Sequence, residues 1–155
     1  MTATAKTIAR SPVSGVPARV DGLAWDQITA DLDGQGCAVL GGLLTPEECD
    51  TIAALYPNDG RFRSRVVMGR HGFGRGEYKY FSYPLPDLIA ELRPALYARL
   101  TATANRWNKT MGIEISYPPL HAAFLKRCHD AGQTRPTPLL LQYGEGDYNC
   151  LHQDL

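Results

Sequence analysis

An α+β fold is what this chain of 155 residues predicts, on three observations. Apolar residues recur at spacings of three and four in segments that begin near Asp21, Thr45, Pro86 and Pro119, as on the buried face of a helix. Residues 61–81 and 139–151 instead read as strand, glycine-rich turn and strand. Size and apolar content suit one modest domain, and 16 basic against 16 acidic residues give no overall pull toward nucleic acid or a membrane.

Residues 1–20 hold Ala, Thr, Ser and Pro with three basic residues and no acid, and are expected to form a disordered tail. A mitochondrial transit peptide has a similar composition, but Pro12 and Pro17 interrupt any amphipathic helix, so the tail is preferred. Trp25, Ile28 and Leu32 then share one face of a short helix that Gly34 and Gly36 end. Cys37 to Leu40 reads as a buried strand. The next helix has the best-specified start. Thr45 serves as N-cap, Pro46 fits the first helical position, and Glu48 closes a capping box.

From Arg61 to Met68 the period is two, which predicts Arg61, Arg63 and Arg65 on the exposed side of a strand and Phe62, Val66 and Met68 facing inward. Gly69 to Gly76 turns the chain into Glu77–Phe81, completing a hairpin. The glycines of Gly72–Gly76 lack the strand–loop–helix order of a nucleotide loop. Between Arg61 and Lys79, six basic residues against one acid read as a solvated strand face, or else as a strip for anions or nucleic acid. Pro86 opens a long helix through about Lys109, which Pro94 is expected to kink or split. A last helix runs from Pro119 to Ala131; Lys126, Arg127 and His129 suit its C-terminal dipole, and Gly132 terminates it.

The final 17 residues, LLLQYGEGDYNCLHQDL, concentrate the chemistry. Leu139–Tyr143 and Tyr148–Leu151 read as the two strands of a β-hairpin around Gly144–Asp147. Strand alternation presents His152 and Asp154 to one side and Gln153 to the other. An imidazole and a carboxylate so presented are two-thirds of the 2-His-1-carboxylate set that holds non-haem Fe(II) with open coordination positions. This strand–turn–strand motif resembles the first metal-binding strand pair of the Fe(II)- and 2-oxoglutarate-dependent dioxygenases, on the prolyl 4-hydroxylase side of that superfamily. More narrowly, HDAGQTRPTPLLLQYGEGDYNCLHQDL resembles a bacterial family of such oxygenases associated with oxidation of damaged DNA.

The resemblance implies a double-stranded β-helix, or jelly roll, of which residues 21–155 hold the N-terminal part: a helical support layer and the first strands, stopping before closure. On that view the chain is a fragment of a longer protein or the product of a shortened gene. His152 and Asp154 become iron ligands, and Tyr143 a hydrogen-bond donor to the distal carboxylate of 2-oxoglutarate. The implied cofactors are Fe(II) and 2-oxoglutarate, with ascorbate as an accessory reductant. Oxidation of 2-oxoglutarate to succinate and CO2 would drive hydroxylation or oxidative demethylation of a prime substrate that the sequence does not identify. A second histidine and a basic residue, which the family needs, are absent from this chain, so the 155 residues alone are expected to be inactive. From its spacing alone, Tyr143 reads equally well as a half-buried strand aromatic. Two other readings compete: a zinc-binding module of Cys150, His152 and Asp154, and a non-catalytic nucleic-acid or protein interaction module using the 61–79 hairpin. Cys37, Cys49, Cys128 and Cys150 form no C-x-x-C pair, no secretory leader is present, and no apolar run approaches the ~20 residues of a membrane span. Reduced thiols and a cytoplasmic location are therefore expected, with no membrane partner.

Overall fold

The computed structural model describes residues 15–152. Helix α1 (Val16–Asp21) is too short to hold itself together in water and depends on what it touches. Val16 and Val20, four apart and so on one face, are fully buried. The Arg19 side chain reaches the Leu43 carbonyl at 2.9 Å and both carboxylate oxygens of Glu48 at 2.7 Å. The expected disordered tail through residue 20 is thus corrected at its end, where tertiary contact orders a segment with little helical signal of its own. Residues 1–14 of that tail lie outside the described residues.

Helix α2 (Trp25–Gln35) buries Ile28 and stops at Gly36, whose φ of 76° is the left-handed conformation that glycine adopts without cost. The strand expected at Cys37–Leu40 does not form, and Val39 is 91% exposed. No described strand runs beside it to take its backbone groups, and an apolar run becomes a strand only with a neighbour. Helix α3 (Pro46–Ala53) starts as its sequence dictates: the Glu48 amide donates to Thr45 Oγ1 at 3.2 Å, and the Thr45 amide donates to Glu48 Oε2 at 2.9 Å.

Strands β1 (Phe62–Val67) and β3 (Glu77–Phe81) pair antiparallel, with an irregularity between Phe62 and Ser64. Arg61, Arg63 and Arg65 are exposed while Met68 is buried and Phe62 and Val66 half-buried, as expected, but the irregularity breaks the shared inward face: Phe62 lies on the Phe81 side of the sheet and Val66 on the Tyr78 side. Between the two strands lies β2 (Gly74–Arg75). The second hairpin differs from expectation. Strands β4 (Leu139–Gln142) and β5 (Tyr148–Asn149) pair with β3 and β2 respectively, giving a three-stranded sheet in the order β1-β3-β4 and a two-stranded ribbon of β2 and β5. The Gly144–Asp147 turn, closed by an Asp147 N–H···O=C Gly144 bond of 3.1 Å, therefore hands the chain from one sheet to the other.

Two glycines make this crossing possible. A Cβ on Gly74 would sit 2.3 Å from the Tyr148 carbonyl oxygen, and one on Gly76 would sit 2.8 Å from the Tyr143 ring. Both also hold φ near +125°, where side chains are strained.

Helix α4 (Asp87–Thr110) runs through Pro94 as one element, so neither a split nor a second start occurs; the cost is the intrahelical bond that the Ala90 carbonyl would otherwise receive. Its far end clamps the following extended segment. Asn105 exchanges two amide hydrogen bonds with Tyr117, and Asn108 donates to the Ile115 carbonyl at 2.8 Å. Helix α5 (His121–Asp130) stacks Phe124 on Tyr97 and ends before Gly132, whose φ is 87°. The result is an α+β arrangement of helices and small antiparallel sheets.

Candidate functional site

The site grows out of strand β3. Side chains alternate along a strand, so Tyr78 and Tyr80 face one way while Glu77, Lys79 and Phe81 face the other. Register places Val66 and Leu141 on either side of Tyr78, and Ser64 and Leu139 on either side of Tyr80. A cavity of about 750 Å³ opens against that face. Its floor is Met68, Tyr78, Tyr80, Leu139 and Leu141, and its far wall is Gly72, Phe73 and residues 149–152. The wall is tied to the floor's own hairpin, because the Cys150 amide donates to the Phe73 carbonyl at 2.9 Å.

His152 closes this wall. Its Nδ1 lies 2.9 Å from the Cys150 carbonyl oxygen. A proton donated from Nδ1 to that oxygen puts the lone pair on Nε2, the tautomer that ring-anchored metal ligands adopt. Asp154 lies outside the described residues. Tyr143 lies just past the end of β4, 45% exposed, with its ring against Gly76; it is not among the cavity-lining residues. Of the three residues that the sequence singles out, then, the structure brings His152 to the cavity, while Tyr143 does not line it. Among the described residues no group of three His, Cys, Asp or Glu side chains is close enough to hold a metal ion; the Cys150, His152 and Asp154 set includes a residue outside them. The four cysteines are free thiols.

Residues that sequence reasoning passed over supply most of the cavity. The Tyr78 and Tyr80 rings meet edge to face at 5.6 Å, and Arg63 lies 4.4 Å over the Tyr80 ring. Burial first, and then the neighbouring Tyr80, push the Tyr78 phenol above its ordinary pKa, so it stays a hydrogen-bond donor at neutral pH. Period-two spacing from Tyr78 to Tyr80 was visible in the sequence; which face would line a cavity was not.

The opposite face of β3 is filled. Lys79 is 5% exposed, with Nζ 2.9 Å from the Tyr56 carbonyl, 2.7 Å from Asp59 Oδ1 and 4.5 Å over the Tyr56 ring. The Lys79 hydrogen bond holds the Asp59 carboxyl below the usual range. The Arg65 side chain binds Glu77, whose other oxygen accepts from the Tyr56 hydroxyl at 2.9 Å. Burial, and next that bond to Glu77, raise the Tyr56 phenol. Three of the six basic residues in the stretch 61–79 are therefore paired: Arg65 with Glu77, Arg75 with Asp147 and Lys79 with Asp59. His121 and His129 sit on α5, and neither lines the cavity.

A family model described as "Oxygenase, catalysing oxidative methylation of damaged DNA" matches residues 76–155. Two uncharacterized proteins, from two strains of Mycobacterium tuberculosis, are each 40% identical over 114 residues, an alignment covering 66% of this chain and 49% of theirs. The chain spans about half the length of these curated relatives. No solved structure matches it. No helix among the described residues is long and apolar enough to cross a membrane.

Proposed function

The chain belongs to this oxygenase family, and we propose that it works as an Fe(II)- and 2-oxoglutarate-dependent dioxygenase, on the prolyl 4-hydroxylase-like pattern. The observation that carries the reading is His152 at the wall of the cavity, in the segment that the family model covers. In this reading His152 and Asp154 hold the metal, and their imidazole nitrogen and carboxylate oxygen are donor types that suit Fe(II). They are two donors where a facial triad has three, so the reading requires a third ligand from outside the described residues. Iron and 2-oxoglutarate together would supply oxygen activation, with succinate and CO2 as the co-products. Oxygen insertion makes hydroxyl groups, so hydroxylation or oxidative demethylation is the reaction class.

The chain's own residues have more limited tasks. Met68, Leu139 and Leu141 give the cavity an apolar floor that excludes water. Tyr78 and Tyr80 offer phenolic O–H donors to the oxygen atoms of whatever enters. The Cys150 carbonyl fixes the orientation of the His152 ring. Tyr143, its ring against Gly76, is assigned a hydrogen bond to the distal carboxylate of 2-oxoglutarate.

Succinate formation tests this reading, measured in a chimera that joins residues 1–155 to the part of a relative that the chain does not match. His152→Ala or Asp154→Ala abolishes turnover there, whereas Gln153→Ala costs far less. Tyr143→Phe weakens 2-oxoglutarate binding by about 1.5–3 kcal/mol, the worth of one hydrogen bond to a charged group. Full turnover in His152→Ala sinks the assignment.

A further inference from the structure

Past the end of α4 the chain offers an edge that no described strand pairs with. Residues 113–118 run back beside the last turns of the helix, and alternate residues give their backbone groups to it. The Ile113 amide donates to the Asn108 carbonyl at 2.8 Å, and the Ile115 carbonyl accepts from the Asn108 side chain at 2.8 Å. Tyr117 takes both side-chain amide bonds of Asn105. Helix asparagines thus stand where a neighbouring strand would. Hydrogen-bonding direction alternates along an extended chain, so Glu114 and Ser116 turn their backbone groups away from α4. Among the described residues the Glu114 amide and carbonyl and the Ser116 amide have no partner, and the Ser116 carbonyl holds only Arg127, at 2.8 Å. The side chains beside this row are apolar and open. Ile113 is 42% exposed and Ile115 55% exposed, while Tyr117 is half-buried with its ring edge-on to Phe124.

A free row of backbone groups flanked by exposed isoleucines is a template for another strand. Its own sequence says which strand fits. Gly112, with φ of 71° and its amide already bonded to the Lys109 carbonyl, closes one end, and Pro118, with no N–H, closes the other. Antiparallel pairing with a second copy about a two-fold axis must set outward-facing residues opposite one another, which confines the axis to Ile113, Glu114, Ile115 or Ser116. An axis at Ile113 sets Glu114 against Gly112, whose amide is taken. An axis at Glu114 opposes like charges, and one at Ser116 sets Glu114 against a proline. An axis at Ile115 has neither fault. It sets Glu114 against Ser116 twice over, each time with reciprocal main-chain bonds, and brings Ile113 onto Tyr117 and Ile115 onto its own copy. We propose that the chain forms a two-fold dimer through residues 113–117, paired antiparallel in this register. The dimer is independent of the oxygenase reading.

Sedimentation of the full 155-residue chain tests it. Between about 1 and 100 µM a reversible monomer–dimer equilibrium is expected, with a Kd on the order of 10 µM for so small an interface. Ser116→Pro removes one outward amide from each copy and weakens the dimer about tenfold or more. Tyr83→Ala, an exposed aromatic before the other end of α4, dimerises as the unaltered chain does. Register is read by crosslinking, in a background of Cys37→Ser, Cys49→Ser, Cys128→Ser and Cys150→Ser. There Ile115→Cys meets its own copy at the roughly 4.5 Å Cα spacing of a non-hydrogen-bonded pair, within reach of a disulfide. Mild oxidation gives a covalent dimer on a non-reducing gel, and Glu114→Cys gives far less. A monomer at every concentration overturns the proposal, as does a dimer that Ile115→Cys fails to crosslink or that a folded Ser116→Pro leaves intact. If circular dichroism shows Ser116→Pro unfolded, the crosslink decides. A dimer of this chain that is lost in the chimera means the rest of the longer protein takes the edge, and overturns the proposal too.

Discussion

Two faces of one short strand behave as different materials. On one side of β3, Glu77, Lys79 and Phe81 are locked: Lys79 has a carbonyl, a carboxylate and an aromatic ring around its ammonium, and Phe81 stacks on Phe62 at 4.8 Å. On the other side Tyr78 and Tyr80 touch each other and Arg63, and otherwise border open space. The contrast teaches where to look for chemistry. A polar group surrounded by partners is committed to holding the fold, whereas phenols on an open, apolar-floored cavity are available to a ligand. The ion pair on the locked face is itself asymmetric, since the Lys79 side chain is 7% exposed and that of Asp59 is 86% exposed. Most of what Lys79 contributes must then come from its packed stem and the Tyr56 carbonyl, because a solvated carboxylate partner adds little.

The largest expected effect lies where the sheets meet. Gly74→Ala should lose about 4 kcal/mol, combining a strained φ with a backbone clash that no rotamer relieves; chemical denaturation measures it, and a loss under about 1 kcal/mol would mean the crossing is loose. The two faces should then separate cleanly. Lys79→Ala should cost about 3 kcal/mol through lost packing and an unpaired buried carbonyl, Asp59→Asn far less, and Tyr78→Phe should stay within about 1 kcal/mol. Equal losses at Lys79 and Tyr78 would erase the distinction. The smallest effect is a pH dependence. The Arg65 hydrogen bond, ahead of the opposing effect of burial, depresses the Glu77 pKa. A depressed carboxylate contributes stability that is present above the ordinary glutamate range and drains away as pH falls through the folded-state value. Melting temperature followed from neutral pH into that acid range should fall more steeply in the unaltered protein than in Glu77→Gln. Parallel curves would remove Glu77 from the linkage.

Local chemistry was legible wherever it was sufficient. The Thr45–Glu48 box needed only its own neighbours and formed as its residues dictate, and the exposure alternation of Arg61–Arg65 followed, although the irregularity after Phe62 sends that ring to the other face from Val66. What the sequence left open was the choice of partner. Strand–turn–strand describes residues 139–151 correctly in each piece, yet the same pattern serves a hairpin and two strands that join different sheets. Cys37–Leu40 has strand composition and no described neighbour, while Val16–Asp21 looked like tail because only α4, Leu43 and Glu48 make it a helix. The end motif drew attention to His152, which lies on the cavity wall, but the cavity itself was not legible. Tyr78 and Tyr80 line it only because β4 and residues 149–152 arrive from about sixty residues or more along the chain.

The Gly144–Asp147 turn sets a phase. Strand β5 is held to β2 by only two aligned residue pairs, Gly74 with Asn149 and Arg75 with Tyr148. So short a ladder has little power to correct its own alignment, and the number of residues spent in the turn decides which atoms arrive opposite Arg75. One residue more or less would leave β4 on β3 undisturbed yet invert every side chain that follows. Tyr148 and Cys150 would exchange faces with Asn149 and Leu151, and the imidazole at position 152 would be turned away from the cavity. Handedness of presentation at this wall is thus a matter of counting, fixed by four residues that touch nothing in the cavity themselves.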